Sequence, residues 1–123
     1  GEPGLRVSAD PVRLRQMVGN LVSNAVRHTP EGGSVIVHAF REGSEIVFEV
    51  TDTGTGIAAP DLPHVFDRFW RADKSRNRRT GGSGLGLAIV HRLARAHDGS
   101  VTARSTPGIG SVFTIRLPSR PRP

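Results

Sequence analysis

Apolar residues recur three and four positions apart at Leu14, Met17, Val18, Leu21, Val22 and Ala25, the spacing of one helix face. Asp10 and Pro11 stand just before them, an N-cap residue followed by a proline suited to the first helical position. The polar residues Gln16, Asn20, Asn24, Arg27 and His28 recur at similar spacings on the same segment. They form a second face that is free to line a site. The run Thr29-Pro30-Glu31-Gly32-Gly33 ends the helix. The period then shortens, and residues 34–40 and 45–51 read as two strands with a turn at Glu42-Gly43. Ile46, Phe48 and Val50 alternate with Val47 and Glu49, which predicts a sheet with one buried and one partly wet face.

From residue 52 to residue 83 the pattern breaks into glycines, a short apolar stretch (Val65, Phe66, Phe69, Trp70) and a basic run. So long an irregular connection is usually functional or disordered. Helical spacing returns at Leu85, Ala88, Ile89, Leu93 and Ala96 and ends near Gly99. Residues 100–104 and 111–117 then form a second hairpin across Pro107-Gly108-Ile109-Gly110, and the polar tail of residues 119–123 is expected to be disordered. The order helix, hairpin, irregular segment, helix, hairpin predicts an α+β domain over residues 1–118. Its form is a two-layer sandwich with helices on one face of a mostly antiparallel mixed sheet.

The 123 residues, 36% of them hydrophobic, suffice for one core and one site. The absence of cysteine excludes disulfides and thiolate metal sites, and the five histidines show no ligand spacing. No apolar run reaches the roughly 18 residues needed to cross a bilayer, and residues 1–10 lack the apolar segment of a secretory signal. A soluble piece with no direct membrane contact is expected. Net charge is +6, with Arg68, Arg71, Lys74, Arg76, Arg78 and Arg79 crowded together, so a polyanion is expected nearby. Aromatic content of 5% and a tyrosine count of zero argue against base stacking and nucleic acid. A small phosphate ligand fits better, a solvated loop being the plain alternative.

Three segments carry chemistry. Asn20 and Asn24 lie one helical turn apart with Arg27 beyond them. A single Asn carbonyl can complete the oxygen octahedron of Mg²⁺ without adding charge, although paired asparagines also occur as caps or solvated positions. Asp52-Thr53-Gly54-Thr55-Gly56-Ile57 begins where a strand ends. Its carboxylate can accept from an amine such as adenine N6, or simply bond its own backbone in a turn. Gly81-Gly82-Ser83-Gly84-Leu85-Gly86-Leu87 runs into the second helix, where exposed N–H groups at a positive helix end suit phosphate. A glycine-rich linker is the other reading. The spacing is neither the dinucleotide fingerprint nor a P-loop.

Taken together and in order, these segments resemble the ATP-binding catalytic domain of sensor histidine kinases (GHKL superfamily, Bergerat fold). Residues 20–30 look like the N box, 52–57 the G1 box, 65–71 the F box, 82–87 the G2 box and 108–113 the G3 region. The resemblance implies ATP and Mg²⁺ as cofactors. Asn20, Asn24 and Arg27 would form the catalytic polar face, with Asn24 on the metal and Arg27 on the phosphates. His28 would stand near the nucleotide where the family often has Tyr. Asp52 would meet adenine N6, with Ser111 assisting through an ordered water. Gly54, Gly56 and Ile57 would shape the adenine pocket and the base of a lid. Gly82, Ser83, Gly84, Leu85, Gly86 and Leu87 would bring backbone to the phosphates. Phe66 and Phe69 would pack the lid on the body, and the basic residues from Arg71 to Arg79 would be the lid itself.

The resemblance also separates branches. The ATPases of the superfamily carry a Glu four residues before the metal-binding Asn, where this chain has Asn20, and an amide cannot take a proton. None of His28, His38, His64, His91 or His97 has the setting of a phosphoacceptor. The implied activity is transfer of the ATP γ-phosphoryl group to a histidine on a separate dimerisation and phosphoacceptor domain. A response regulator would act downstream, and the parent would be an inner or plasma membrane sensor with this domain in the cytoplasm. An ATPase switch and a non-catalytic nucleotide-binding module are the alternatives.

Overall fold

Met17, Leu21 and Ala25, spaced by four, are fully buried along the first helix, α1, which spans Pro11–His28. Leu14, Val18 and Val22 flank them against the same core. The computed structural model describes residues 11–67 and 86–118, so the N-cap expected of Asp10 and the tail of residues 119–123 lie outside it. Arg27 and His28 occupy the last turn of α1, where the positive charge of Arg27 suits the carbonyl end of the dipole.

Strands β1 (Val35–Glu42) and β2 (Glu45–Asp52) form the first hairpin, β3 (Ser100–Thr106) and β4 (Gly110–Pro118) the second. They make one sheet in the order β1-β2-β4-β3, with all three pairings antiparallel among the described residues. The first turn is Gly43-Ser44, not Glu42-Gly43, because Glu42 pairs with Glu45 and Gly43 alone takes a positive φ, of 62°. Likewise Gly110, expected in the second turn, is the first residue of β4.

One face of the sheet carries Phe48 and Val50 of β2, Phe113, Ile115 and Leu117 of β4, and Val101 and Ala103 of β3, all packed with α1 into a single core. The second helix, α2 (Gly86–Ala96), completes this layer. Its fully buried residues are Val90 and Ala94, whereas Ala96, expected on the apolar face, is exposed. Leu87, Ala88, Ile89 and Val90 are consecutive apolar residues, so periodicity alone does not single out the core side. The helix closes in a Schellman motif: Gly99 N–H donates to Ala94 at 2.8 Å and Asp98 N–H to Arg95 at 3.1 Å. The left-handed residue there is Asp98, at φ 63°, not the glycine expected from the sequence.

The outer sheet face is not uniformly wet. Val47 is fully buried because its cross-strand neighbours are Phe40 and Arg116. The Arg116 guanidinium reaches on to the carboxylates of Glu42 and Glu45, so its stem lies over Val47. Between β2 and α2, a 3-10 helix over Ala59–His64 leads to Val65, which enters the core at 2% exposure.

Candidate functional site

At one end of the sheet the inward face turns from apolar to polar. The inward series Ile46, Phe48, Val50 ends in Asp52, the series Phe113, Ile115, Leu117 begins at Ser111, and Val101, Ala103 leads to Ser105. The register places Asp52 opposite Ser111 and Ser111 opposite Ser105, one polar row across three strands. Asp52 and Ser111 are 5% and 6% exposed, so this is a carboxylate sunk beside the core. Burying such a group is costly without hydrogen bonds. Its Oδ1 accepts the N–H of Gly54 at 2.8 Å, the turn bond expected of an Asp in this setting. Ser105 was not singled out from the sequence, although a polar residue at the inward position of an alternating strand is the signal that could have found it.

The loop after Asp52 is clamped from two sides. The N–H of Thr55 donates to the carbonyl of His28, the last residue of α1, at 3.1 Å. Gly54 lies so close that a Cβ there would stand 2.2 Å from that same carbonyl oxygen. On the other side Gly108 N–H donates to Thr55 at 2.8 Å. Gly56 combines a φ of 76° with a virtual Cβ 2.4 Å from the Thr106 carbonyl. Both glycines of this loop therefore let backbone approach backbone, and they hold the polar row's loop to α1 and to the β3–β4 turn.

The polar face of α1 borders the same region. Asn20 donates its amide to the carbonyl of Gly86 at 3.4 Å, linking α1 to the start of α2. Asn24 follows one turn later, half-buried, and Arg27 is exposed with its guanidinium on the Ser23 hydroxyl at 3.1 Å. His28 keeps much of its surface in solvent. Partial burial nevertheless holds its imidazole below the ordinary histidine value of 6.5, with the charge of Arg27 adding to the effect and that of Asp52 opposing it. A half-buried carboxamide oxygen beside an arginine is a donor set that fits Mg²⁺ carrying phosphate oxygens and waters.

Phe66 packs on the body of the domain, near-parallel to His91 of α2 with ring centres 5.7 Å apart and edge-on to Phe113 at 6.1 Å. Ile57 and Leu87 also lay their side chains on the core. Phe69, Arg71, Gly82, Ser83, Gly84, Leu85 and the rest of the basic run lie outside the described residues. No described helix is long and apolar enough to cross a membrane, and no cluster of three or more His, Asp or Glu that could hold a metal occurs among the described residues.

Comparison with known proteins agrees with this fold. The family model described as histidine kinase-, DNA gyrase B-, and HSP90-like ATPase matches residues 9–121. The sensor-like histidine kinase SenX3 of Mycobacterium tuberculosis is 50% identical over 115 residues, which are 94% of this chain and 28% of that protein. The chain thus spans under a third of the length of that relative. Among solved structures, the mycobacterial sensor histidine kinase MprB superposes with a TM-score of 0.82 at 33% identity, over 94% of this chain and 78% of that one. Full-length ShkA in complex with AMPPNP gives 0.79 at 37% identity, over 94% of this chain and 23% of that one. With a polar row closing an antiparallel sheet, a family match over nearly its whole length and a half-identical sensor kinase relative, the chain belongs to the histidine kinase-, DNA gyrase B- and HSP90-like ATPase family, as a sensor histidine kinase catalytic domain.

Proposed function

We propose that this domain binds Mg²⁺-ATP between the polar row, the polar face of α1 and the start of α2, and delivers the γ-phosphoryl group to a histidine on a separate dimerisation and phosphoacceptor domain. The observation that carries the reading is Asp52: a carboxylate 5% exposed at the end of the inward sheet face, opposite Ser111. A buried acceptor in that place suits the amine of adenine, and a complex with an ATP analogue is named for ShkA. Asn24 supplies the oxygen for Mg²⁺, whose charge would offset that of the phosphates, and Arg27 and the first turn of α2 supply positive groups and N–H donors. His28 and Asn20 border the nucleotide, Asn20 through its bond to Gly86.

Phosphoryl transfer of this kind rests on positioning and on charge neutralisation. The residue that orients or deprotonates the nucleophile is expected on the partner domain, since Asn20 cannot accept a proton. This favours kinase over ATPase chemistry. A response regulator as onward partner and a cytoplasmic location beneath a membrane-bound parent complete the reading.

The test is to mix the chain with Mg²⁺, labelled ATP and a separately produced helical domain bearing a phosphoacceptor histidine. Label should appear on that domain's histidine at a rate rising with its concentration. ATP turnover by the chain alone, abolished by Asp52→Ala, would favour the ATPase switch. Nucleotide binding with neither outcome would favour a binding module.

A further inference from the structure

Ser105 makes three polar contacts, and they fill its hydrogen-bonding capacity. Its Oγ accepts the N–H of Ile57 at 2.6 Å, lies 2.9 Å from the carbonyl oxygen of Gly110, and lies 3.0 Å from the hydroxyl of Ser111. A serine hydroxyl has one proton to give and two lone pairs to accept with. Ile57 takes one lone pair. The Gly110 carbonyl carries no proton, so Ser105 must donate there; without a proton between them the two oxygens would face each other lone pair to lone pair. One lone pair remains on Ser105, and among the described residues in contact with it the Ser111 hydroxyl is the donor left to meet it.

We infer that Ser105 is a specificity-positioning residue: by taking the only proton of Ser111, it leaves the Asp52–Ser111 pair able to offer a bound base acceptors alone. This rests on the reading of that pair as the base-binding row. Ser111 sits directly between Asp52 and Ser105 in the strand register and is 6% exposed, so its hydroxyl has few other partners to turn to. The exocyclic amine of a 6-amino purine carries two N–H donors and can meet both acceptors. A 6-oxo purine turns a carbonyl toward the same two acceptors and is rejected. Removing Ser105 frees the Ser111 hydroxyl to rotate and donate toward the base, and the rejection relaxes.

The experiment compares binding of ATP and inosine triphosphate, with Mg²⁺, to the chain and its variants by calorimetry. The wild-type chain should prefer ATP. Ser105→Ala should lower the ATP-to-inosine-triphosphate affinity ratio about three- to tenfold, the size of one hydrogen bond, and Ser105→Thr, which keeps a hydroxyl on the strand, should retain the wild-type ratio. Equal weakening of both nucleotides by Ser105→Ala, with the ratio unchanged, would mean that Ser105 merely braces the loop at Ile57, and overturns the inference. Should Ser105→Ala fail to fold, Ser111→Ala decides: loss of an acceptor weakens ATP more than inosine triphosphate, and the reverse order overturns the inference. Asp52→Asn separates the two levels. A wild-type preference abolished by Asp52→Asn but untouched by Ser105→Ala sinks the role of Ser105 only. A wild-type chain without preference, indifferent to Asp52→Asn, sinks the adenine reading and this inference with it.

Discussion

The α-carbon of Gly54 rests against the carbonyl of His28, leaving a virtual Cβ only 2.2 Å from that oxygen. Backbone on both sides means that no rotamer change can relieve a clash. Gly54→Ala should therefore push the loop off the end of α1, lengthening the Thr55 to His28 bond and disturbing the Gly54 bond to Asp52. We expect a stability loss of about 1–3 kcal/mol, the usual cost of overpacking, together with weaker ATP binding. A urea midpoint unchanged from wild type would show that the approach is looser than it stands here.

Nucleotide preference should follow the carboxylate of Asp52. It offers an acceptor that suits the amine of adenine and faces the carbonyl of guanine. Asp52→Asn should cut ATP affinity by the equivalent of about 1–3 kcal/mol while narrowing the preference over GTP. Titrations giving equal wild-type affinities for ATP and GTP would remove Asp52 from the base site.

Two residues of α1 should behave oppositely. Leu21 is fully buried, so Leu21→Ala should cost about 2–5 kcal/mol of stability by leaving a cavity. Asn24, half-buried on the polar face, should tolerate Ala with little change in melting temperature but lose Mg²⁺-dependent ATP binding. Wild-type phosphotransfer by Asn24→Ala at limiting Mg²⁺ would exclude it as the metal ligand.

Acid should destabilise the domain partly through His28. Its folded-state pKa lies below the ordinary 6.5, because burial and Arg27 disfavour the charged ring. The unfolded chain then takes up a proton that the folded chain resists, so the contribution of His28 is complete above 6.5 and is lost as pH falls through the lowered folded value. His28→Gln, which does not titrate, should flatten the fall in urea midpoint between about pH 7 and about pH 5. Identical pH profiles for the two proteins would show that His28 is not the group responsible.

On its own, the chain should bind Mg²⁺-ATP without labelling itself. General-base assistance is typically worth about 10²–10⁴ in rate, and Asn20 provides none. Incubation with labelled ATP followed by gel analysis should leave the chain unlabelled, and stable label on any of its own histidines would contradict the expected division of labour between domains.

The sequence alone determined whatever short-range periodicity and composition encode. The buried series Met17, Leu21, Ala25 follows from helical spacing, both hairpins follow from alternation and glycine turns, and Asp52 is conspicuous because a strand ends there in DxGxG. It could not say which side of α2 faces the core, since four consecutive apolar residues satisfy more than one side; Val90 and Ala94 were chosen by the core that α2 joins with α1 and the sheet. Nor could it say that Gly54 and Gly56 serve contact with protein backbone, because the carbonyls of His28 and Thr106 reach them only once α1 and the β3–β4 turn have closed on the loop. Ser105 is the clearest case. Its bond to Ile57 joins residues 48 apart in the chain, and its place beside Ser111 and Asp52 exists only after two antiparallel pairings have set their register. Register depends on burying one whole face of the sheet at once, so the polar row is a product of tertiary structure.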